Sequence, residues 1–138
     1  MGICNVTFDE NAYKEMLATP KAAAYYDRKS AVDSIQRGDR VFLYHTRVGI
    51  ISAGRASEGV RVGDRDGDPG EEHFIPLRLD FRADPIEEPQ KCVAAWEINR
   101  ALGTTHSFRG TAFSISKEMA ETIIRLLREK HSKQVGTD

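Results

Sequence analysis

The chain has 138 residues, room for one domain with a substantial core, and its 40% hydrophobic and 30% charged residues describe a folded globule rather than a disordered segment. A formal net charge of −1 argues against nucleic-acid binding through bulk electrostatics. No apolar run approaches the roughly 20 residues that span a bilayer, and the opening Met1–Val6 lacks the basic flank and apolar stretch of a secretion signal, so a cytoplasmic protein without membrane association is expected.

Residues Ile3 to Thr7 read as a first strand. Asp9 is the expected N-cap of a helix that carries Tyr13, Met16 and Leu17 on one face and stops before Pro20. A second helix is predicted from about Lys21 to Gln36, alanine-rich at its start and carrying Tyr25, Tyr26, Val32 and Ile35. Gly38-Asp39 then turns the chain into a strand pair. Along Val41 to Thr46, the residues Val41, Leu43 and His45 face one side and Phe42, Tyr44 and Thr46 the other. Arg47-Val48-Gly49 reverses the chain into Ile50-Ile51, and Gly54 marks a bulge or a close backbone approach.

From Glu58 to Glu72 the polar, glycine-rich sequence predicts a loop, with room for a short strand at Val60–Val62. Its Asp64-Arg65-Asp66-Gly67-Asp68 run does not make a calcium loop, because Ile75 stands where the bidentate glutamate belongs. Phe74 to Phe81 alternates as a half-buried strand with Ile75, Leu77, Leu79 and Phe81 on one side. Cys92 to Leu102 is predicted helical and closed by Gly103. Phe108 to Ile115 is a last strand, followed by a helix capped by Ser116 with Met119, Ala120, Ile123, Ile124 and Leu127 as its stripe. The end, 133–138, is expected to fray. The class is α+β: a strongly curved, mostly antiparallel sheet or pseudobarrel with flanking helices, forming a single domain over 1–138.

Two cysteines, Cys4 and Cys92, make neither a disulfide framework nor a metal cluster. Histidines at 45, 73, 106 and 131 show no ligand spacing, so neither a metal nor a cofactor is expected. No nucleophile elbow, catalytic triad spacing or phosphate-cradling loop is present, which favours a binding module over an enzyme. His45 is either a satisfied core or pocket-edge histidine or a catalytic base. Tyr25-Tyr26-Asp27-Arg28-Lys29 and Phe108-Arg109 instead combine aromatic faces that stack on bases with cations that hold phosphate. Trp96, on a predicted helix, is either core or a pocket wall. Lys and Arg outnumber Asp and Glu by 8 to 6 over residues 1–55 and by 7 to 4 over 98–138, but are outnumbered 11 to 5 over 56–97. If the terminal thirds share a face, a basic patch coexists with an acidic back.

The stretch Gly38-Asp39-Arg40-Val41-Phe42-Leu43-Tyr44-His45-Thr46 is similar to the Gly-Asp-x-x-x-x-Tyr-His-Ser strand of EVE domains, members of the PUA-like superfamily with YTH and ASCH domains. Ile50-Ile51-Ser52-Ala53-Gly54 resembles the segment that follows it there. Tyr25-Tyr26-Asp27-Arg28-Lys29-Ser30 stands at the Asn-Tyr-x-Ala-Arg-Asn stretch, and Phe108-Arg109-Gly110-Thr111 with Ser116 at the closing strand and helix. Ile3-Cys4-Asn5-Val6 lacks the tryptophan of the family's opening strand. The resemblance implies a non-catalytic pseudobarrel that recognises a modified or flipped nucleobase in DNA or RNA, alone or with a partner nuclease or other effector.

The expected pocket then has Tyr25 and Tyr26 for stacking, Asn5 or Thr7 for edge hydrogen bonds, and Tyr44 and His45 along one wall. Arg28, Lys29 and Arg109 would contact phosphate. The alternative is a small ASCH-type enzyme acting on modified nucleosides or nucleic acid, with His45 or Lys29 in the chemistry. A peptide-binding groove is a third reading.

Overall fold

The structure, a computed structural model, describes residues 2–7 and 10–136. The chain runs β1 (Gly2–Thr7), α1 (Glu10–Ala18), β2 (Lys21–Tyr25), a 3₁₀ segment (Tyr26–Val32), β3 (Arg40–His45), β4 (Gly49–Ala56), β5 (Arg61–Arg65), β6 (Asp68–Arg82), a short 3₁₀ turn (Pro89–Lys91), α2 (Ala95–Leu102), β7 (Ala112–Ile115) and α3 (Lys117–Gly136). The strand order is β2-β6-β4-β3-β1-β7, with β5 also paired to β6. β1 lies parallel to β3, from Gly2↔Arg40 to Thr7↔His45, and the other pairings are antiparallel. The expected α+β class with a curved, mostly antiparallel sheet is the architecture the chain adopts.

The curl is visible in one side chain. β2 and β1 are separated by β6, β4 and β3 in the sheet order, yet Asn5 of β1 accepts the Ala23 N–H of β2 at 2.8 Å and donates to the Ala23 carbonyl at 3.2 Å. The sheet therefore bends round until its β2 edge meets β1, giving a half-barrel. Asn5 also donates to the Thr111 carbonyl at 2.8 Å, so it joins the segment before β7 to the same point.

Alternation along β3 sorts the core in two. Val41 and Leu43 face a first core with α1, β2 and Ile75 and Leu77 of β6; Phe42 and Tyr44 face a second with Ile98 of α2 and Met119, Ile123 and Leu127 of α3. The bulge expected at Gly54 is present: the β4–β6 register shifts between Ala53 and Gly54, whose partners are Phe81 and Leu79. A Cβ on Gly54 would stand 2.1 Å from the Arg78 carbonyl oxygen, so only glycine admits this approach. The extra residue in β6 also turns Phe81 away from Leu79. Leu79 packs on the first core and Phe81 on the second, where the sequence pattern put both on one face.

Three predicted elements are corrected. Lys21–Tyr25 is a strand, not the start of a helix. A surface helix buries one stripe, but Ala22, Ala23 and Ala24 are all buried, and their small side chains let this backbone come within reach of Asn5. Tertiary packing here overrides alanine's helical preference. Second, the expected loop from Glu58 to Glu72 is a hairpin of β5 and β6. Asp66 (φ 51°) and Gly67 (φ 83°) supply the two left-handed positions of a two-residue turn. Third, α2 begins at Ala95, leaving Cys92 extended and Ile50 and Val93 bridged. Ile98 is its buried residue, and Trp96 on the other side is 64% exposed and so stands outside the core.

Ser116 caps α3 by accepting the Met119 N–H. The helix continues to Gly136, through much of the stretch expected to fray, and Asp9, the expected cap of α1, lies outside the described residues. Both cysteines are buried and reduced; burial pushes the Cys92 thiol up to about 11 and the Cys4 thiol up further, which keeps both protonated and inert. Among the described residues no helix is long and apolar enough to cross a membrane, and no His/Cys/Asp/Glu group of metal-binding size occurs.

Candidate functional site

Where β1 ends, the half-barrel holds a cavity of about 170 Å³ lined by Val6, Thr7, Ala12, Met16, Ala24, Tyr25, Arg28 and Thr111. Each wall follows from the local chain. β1 delivers Val6 and Thr7, and α1 lays Ala12 and Met16, four residues apart and hence on one helical face, over the opening. β2 contributes Ala24 and Tyr25 because Asn5 pins Ala23 in place. Tyr26 then takes a left-handed conformation, φ 51°, costly for a residue with a Cβ. That reversal separates the adjacent tyrosines. Tyr25 lines the cavity, while Tyr26 is 39% exposed and donates from its hydroxyl to Asp68 at 2.9 Å.

The β5–β6 hairpin buttresses this corner. The Arg65 guanidinium lies 3.9 Å from the centre of the Tyr25 ring and is held by an ion pair to Glu15 of α1. Asp68 at the hairpin turn holds Tyr26, and that hydrogen bond pushes the Tyr26 phenol up to about 12. One arginine thus ties α1, the hairpin and the cavity's aromatic wall together. Arg28, exposed at the rim, makes no ion pair among the described residues.

Of the expected pocket residues, Tyr25, Thr7 and Arg28 come together here and the others stand elsewhere. Asn5 is fully buried, and its amide is engaged by the Ala23 and Thr111 backbone, so it builds the cavity and does not present an edge to it. Tyr44 faces the second core and stacks on Phe108 with centroids 4.9 Å apart, and burial pushes its phenol up. His45 lies behind Thr7: its Nδ1 is 2.8 Å from Thr7 Oγ1 and its ring 4.7 Å from that of Tyr13. Lys29 donates to Glu71 at 2.8 Å rather than standing free for phosphate. Arg109 is exposed, two residues before Thr111 of the lining.

Sequence reasoning missed the apolar lining and Arg65. The lining residues read as ordinary core. Arg65 was legible only through the Asp66-Gly67 turn, which marks the hairpin that carries it.

No family model and no curated protein matches the chain. Solved structures do. A YTH domain of the protein mmi1, determined with RNA, superposes with a TM-score of 0.64 at 7% identity, over 98% of this chain and 87% of that one. An ASCH protein from Zymomonas mobilis gives 0.61 at 14% identity, over 91% of this chain and 94% of that one. The YTH domain of the Zygosaccharomyces rouxii MRB1 protein, in complex with N6-methyladenosine RNA, gives 0.58 at 12% identity, over 91% and 86%. At these identities the likeness is one of fold: the chain adopts the α+β half-barrel seen in these YTH and ASCH structures.

Proposed function

We propose that this protein is a non-catalytic nucleic-acid-binding module that takes a modified or extruded base into the Tyr25 cavity. The observation that carries the reading is the make-up of that cavity: an apolar wall of Val6, Ala12, Met16 and Ala24, one tyrosine ring, and an arginine at the rim without an ion pair among the described residues. A ring face accepts any planar base by stacking, and a guanidinium beside the opening takes the phosphate that follows. At about 170 Å³ the space is below the roughly 300 Å³ at which drug-sized pockets begin, which suits a lone base rather than a nucleotide. An apolar wall favours an apolar modification over a charged one, since a buried unpaired charge is costly.

In this reading Tyr25 stacks, Thr111 offers a hydroxyl, Thr7 adds its own only by turning it from His45 and the Tyr44 carbonyl, and Arg28 and Arg109 meet phosphate. Lys29 joins them only by releasing Glu71. Asn5, Tyr26, Tyr44 and His45 hold the walls. The EVE-like strand Gly38–Thr46 and the RNA-bound YTH neighbours support the same class of ligand. Such a cytoplasmic module would hand its recognition to an effector protein such as a nuclease.

Titration of labelled modified and unmodified oligonucleotides, as RNA and as DNA, tests this. The parent is expected to prefer one modified base, and Tyr25→Ala to lose about 10-fold in affinity for it with the preference erased. Equal binding by Tyr25→Ala and the parent would remove the site. A second reading, a small ASCH-type enzyme acting on modified nucleosides, draws on the ASCH neighbour and the Thr7–His45 contact behind the cavity. Product formation from a panel of modified nucleosides, read by mass spectrometry, would favour it.

A further inference from the structure

The end of the sheet remote from the cavity carries a different surface. β1 pairs Thr7 with His45 at the cavity end and Gly2 with Arg40 at the other, five residues or about 17 Å away along the strand. Arg40 of β3 is the register partner of Arg55 of β4, and Arg55 is the register partner of Arg78 of β6. Three arginines therefore stand side by side on one face of adjacent strands, at the roughly 4.8 Å strand spacing.

Like charges placed directly opposite across strands repel. Two carboxylates, Asp39 and Glu121, line the first concavity and offset part of this charge, but neither forms an ion pair with an arginine of the row among the described residues. Arg55 Nη1 donates to the Gly38 carbonyl at 3.0 Å, while Arg40, Arg78 and neighbouring Arg37 make no ion pair among the described residues. Asp39 is occupied by the Gln36 N–H at 2.9 Å, and Glu121 stands 3.9 Å from Lys117. The row lies in two abutting concavities of about 290 and 250 Å³ that share Gly38 and Arg55. Arg40 and Lys117 line the first, and Arg37, Ser57 and Arg78 the second. The cations come from all three parts of the chain, on a protein whose net charge is −1, so their concentration here is a local feature.

We infer that this arginine row binds the phosphate backbone of nucleic acid without regard to base, as a second contact surface separate from the cavity. Guanidinium groups rooted on neighbouring strands form a fixed series of forks suited to successive phosphates, which are themselves a regular series of like charges. A lipid surface is the poorer partner. Membrane-surface binding sets apolar side chains beside the cations, and the exposed large hydrophobics Tyr26, Val60, Val62, Ile86 and Trp96 line neither concavity.

The test uses the full chain and its Arg55→Gln/Arg78→Gln variant, titrated with unmodified single-stranded RNA and DNA and a short duplex over a range of salt. Because the variant lacks two phosphate-binding cations, its slope of log affinity against log salt on single strands should fall by about 1.4, with affinity down about 10-fold or more at low salt. Tyr25→Ala should keep the parent's slope, and the double arginine variant should keep the parent's preference among bases. Its melting temperature at low salt should stay near the parent's, because relief of repulsion offsets the lost Arg55–Gly38 hydrogen bond. An unchanged slope in the arginine variant, loss of the slope in Tyr25→Ala, or a parent that binds phosphatidylserine vesicles but no oligonucleotide would each overturn the inference.

Discussion

The core beneath α3 and the crossing point of β1, β2 and α1 are filled by different means, although the rest of the first core carries large side chains such as Ile35, Leu43 and Ile75. Beneath α3, Phe42, Ile50, Ile98, Ile123 and Leu127 interlock, and each is buried to within 1% of fully. On the α1 side the crossing point of β1, β2 and α1 is built from Ala12, Ala22, Ala23 and Ala24, with Asn5 between the strands. Large branched side chains reach across the gap between layers and close it, whereas methyl groups bring backbones close in one place and leave room beside it. The contrast teaches that the cavity needs no special lining. It is the space small residues fail to fill, kept open because a buried amide sets the distance between two strands.

That account fails first at Asn5. Asn5→Ala strands the Ala23 N–H, removes a donor from the Ala23 carbonyl and leaves the Thr111 carbonyl with the Val6 N–H alone, so chemical denaturation should show a loss of about 3–5 kcal/mol. A loss under about 1 kcal/mol would mean that β2 is held some other way. A matched pair of substitutions then compares the sides directly. Ala53→Leu, in the sealed core, should cost about 1–3 kcal/mol through overpacking. Ala24→Leu should cost under about 1 kcal/mol, because the new side chain has the cavity to occupy, and should abolish discrimination between modified and unmodified oligonucleotides. Equal stability costs would show the two sides to be packed alike.

The smallest effect concerns the corner that separates the tyrosines. The Asp68 hydrogen bond raises the Tyr26 phenol from 10.0 to about 12, because deprotonation would place two negative charges together. The contact is thus whole below pH 10.0 and is lost as pH rises through about 12. Phenolate absorbance should show Tyr26 titrating late alongside the buried Tyr44, and Asp68→Asn should return Tyr26 alone towards its ordinary value.

Strand β3 and helix α3 were legible because their apolar signals are unbroken: Val41–Tyr44 is a continuous run of strand-forming residues, buried on both faces, and Met119 to Leu127 follows one helical face. The cavity was legible in part. Tyr25, Arg28 and Thr7 could be singled out by chemistry, but three consecutive alanines carry a helical preference that only contact with Asn5 overrides, so the segment bearing Tyr25 reads as a helix in the sequence and folds as a strand. Asn5 illustrates the same limit. An amide on a short strand reads equally as a reader of base edges or as a brace, and the choice depends on Ala23 and Thr111, which are 18 and 106 residues away. The arginine row was hidden for a similar reason. Positions 40, 55 and 78 become neighbours only through the register of three strands, the last set by the bulge at Gly54.

The parallel pairing of β1 with β3 has one more consequence. Parallel neighbours require a long connection, and here the connection passes through α1, β2 and the 3₁₀ segment before β3 begins. Seven of the cavity's eight lining residues, Val6 to Arg28, lie on β1 or in that connection, and Thr111 is the eighth. The lining of the proposed site is therefore close to a cassette: apart from Thr111 it is one contiguous stretch of chain, from the end of β1 through α1 and β2 to the 3₁₀ segment. Exchanging that stretch while keeping Asn5 and the Gly38–Ala56 strand pair is a direct route to new ligand preferences on an unchanged frame.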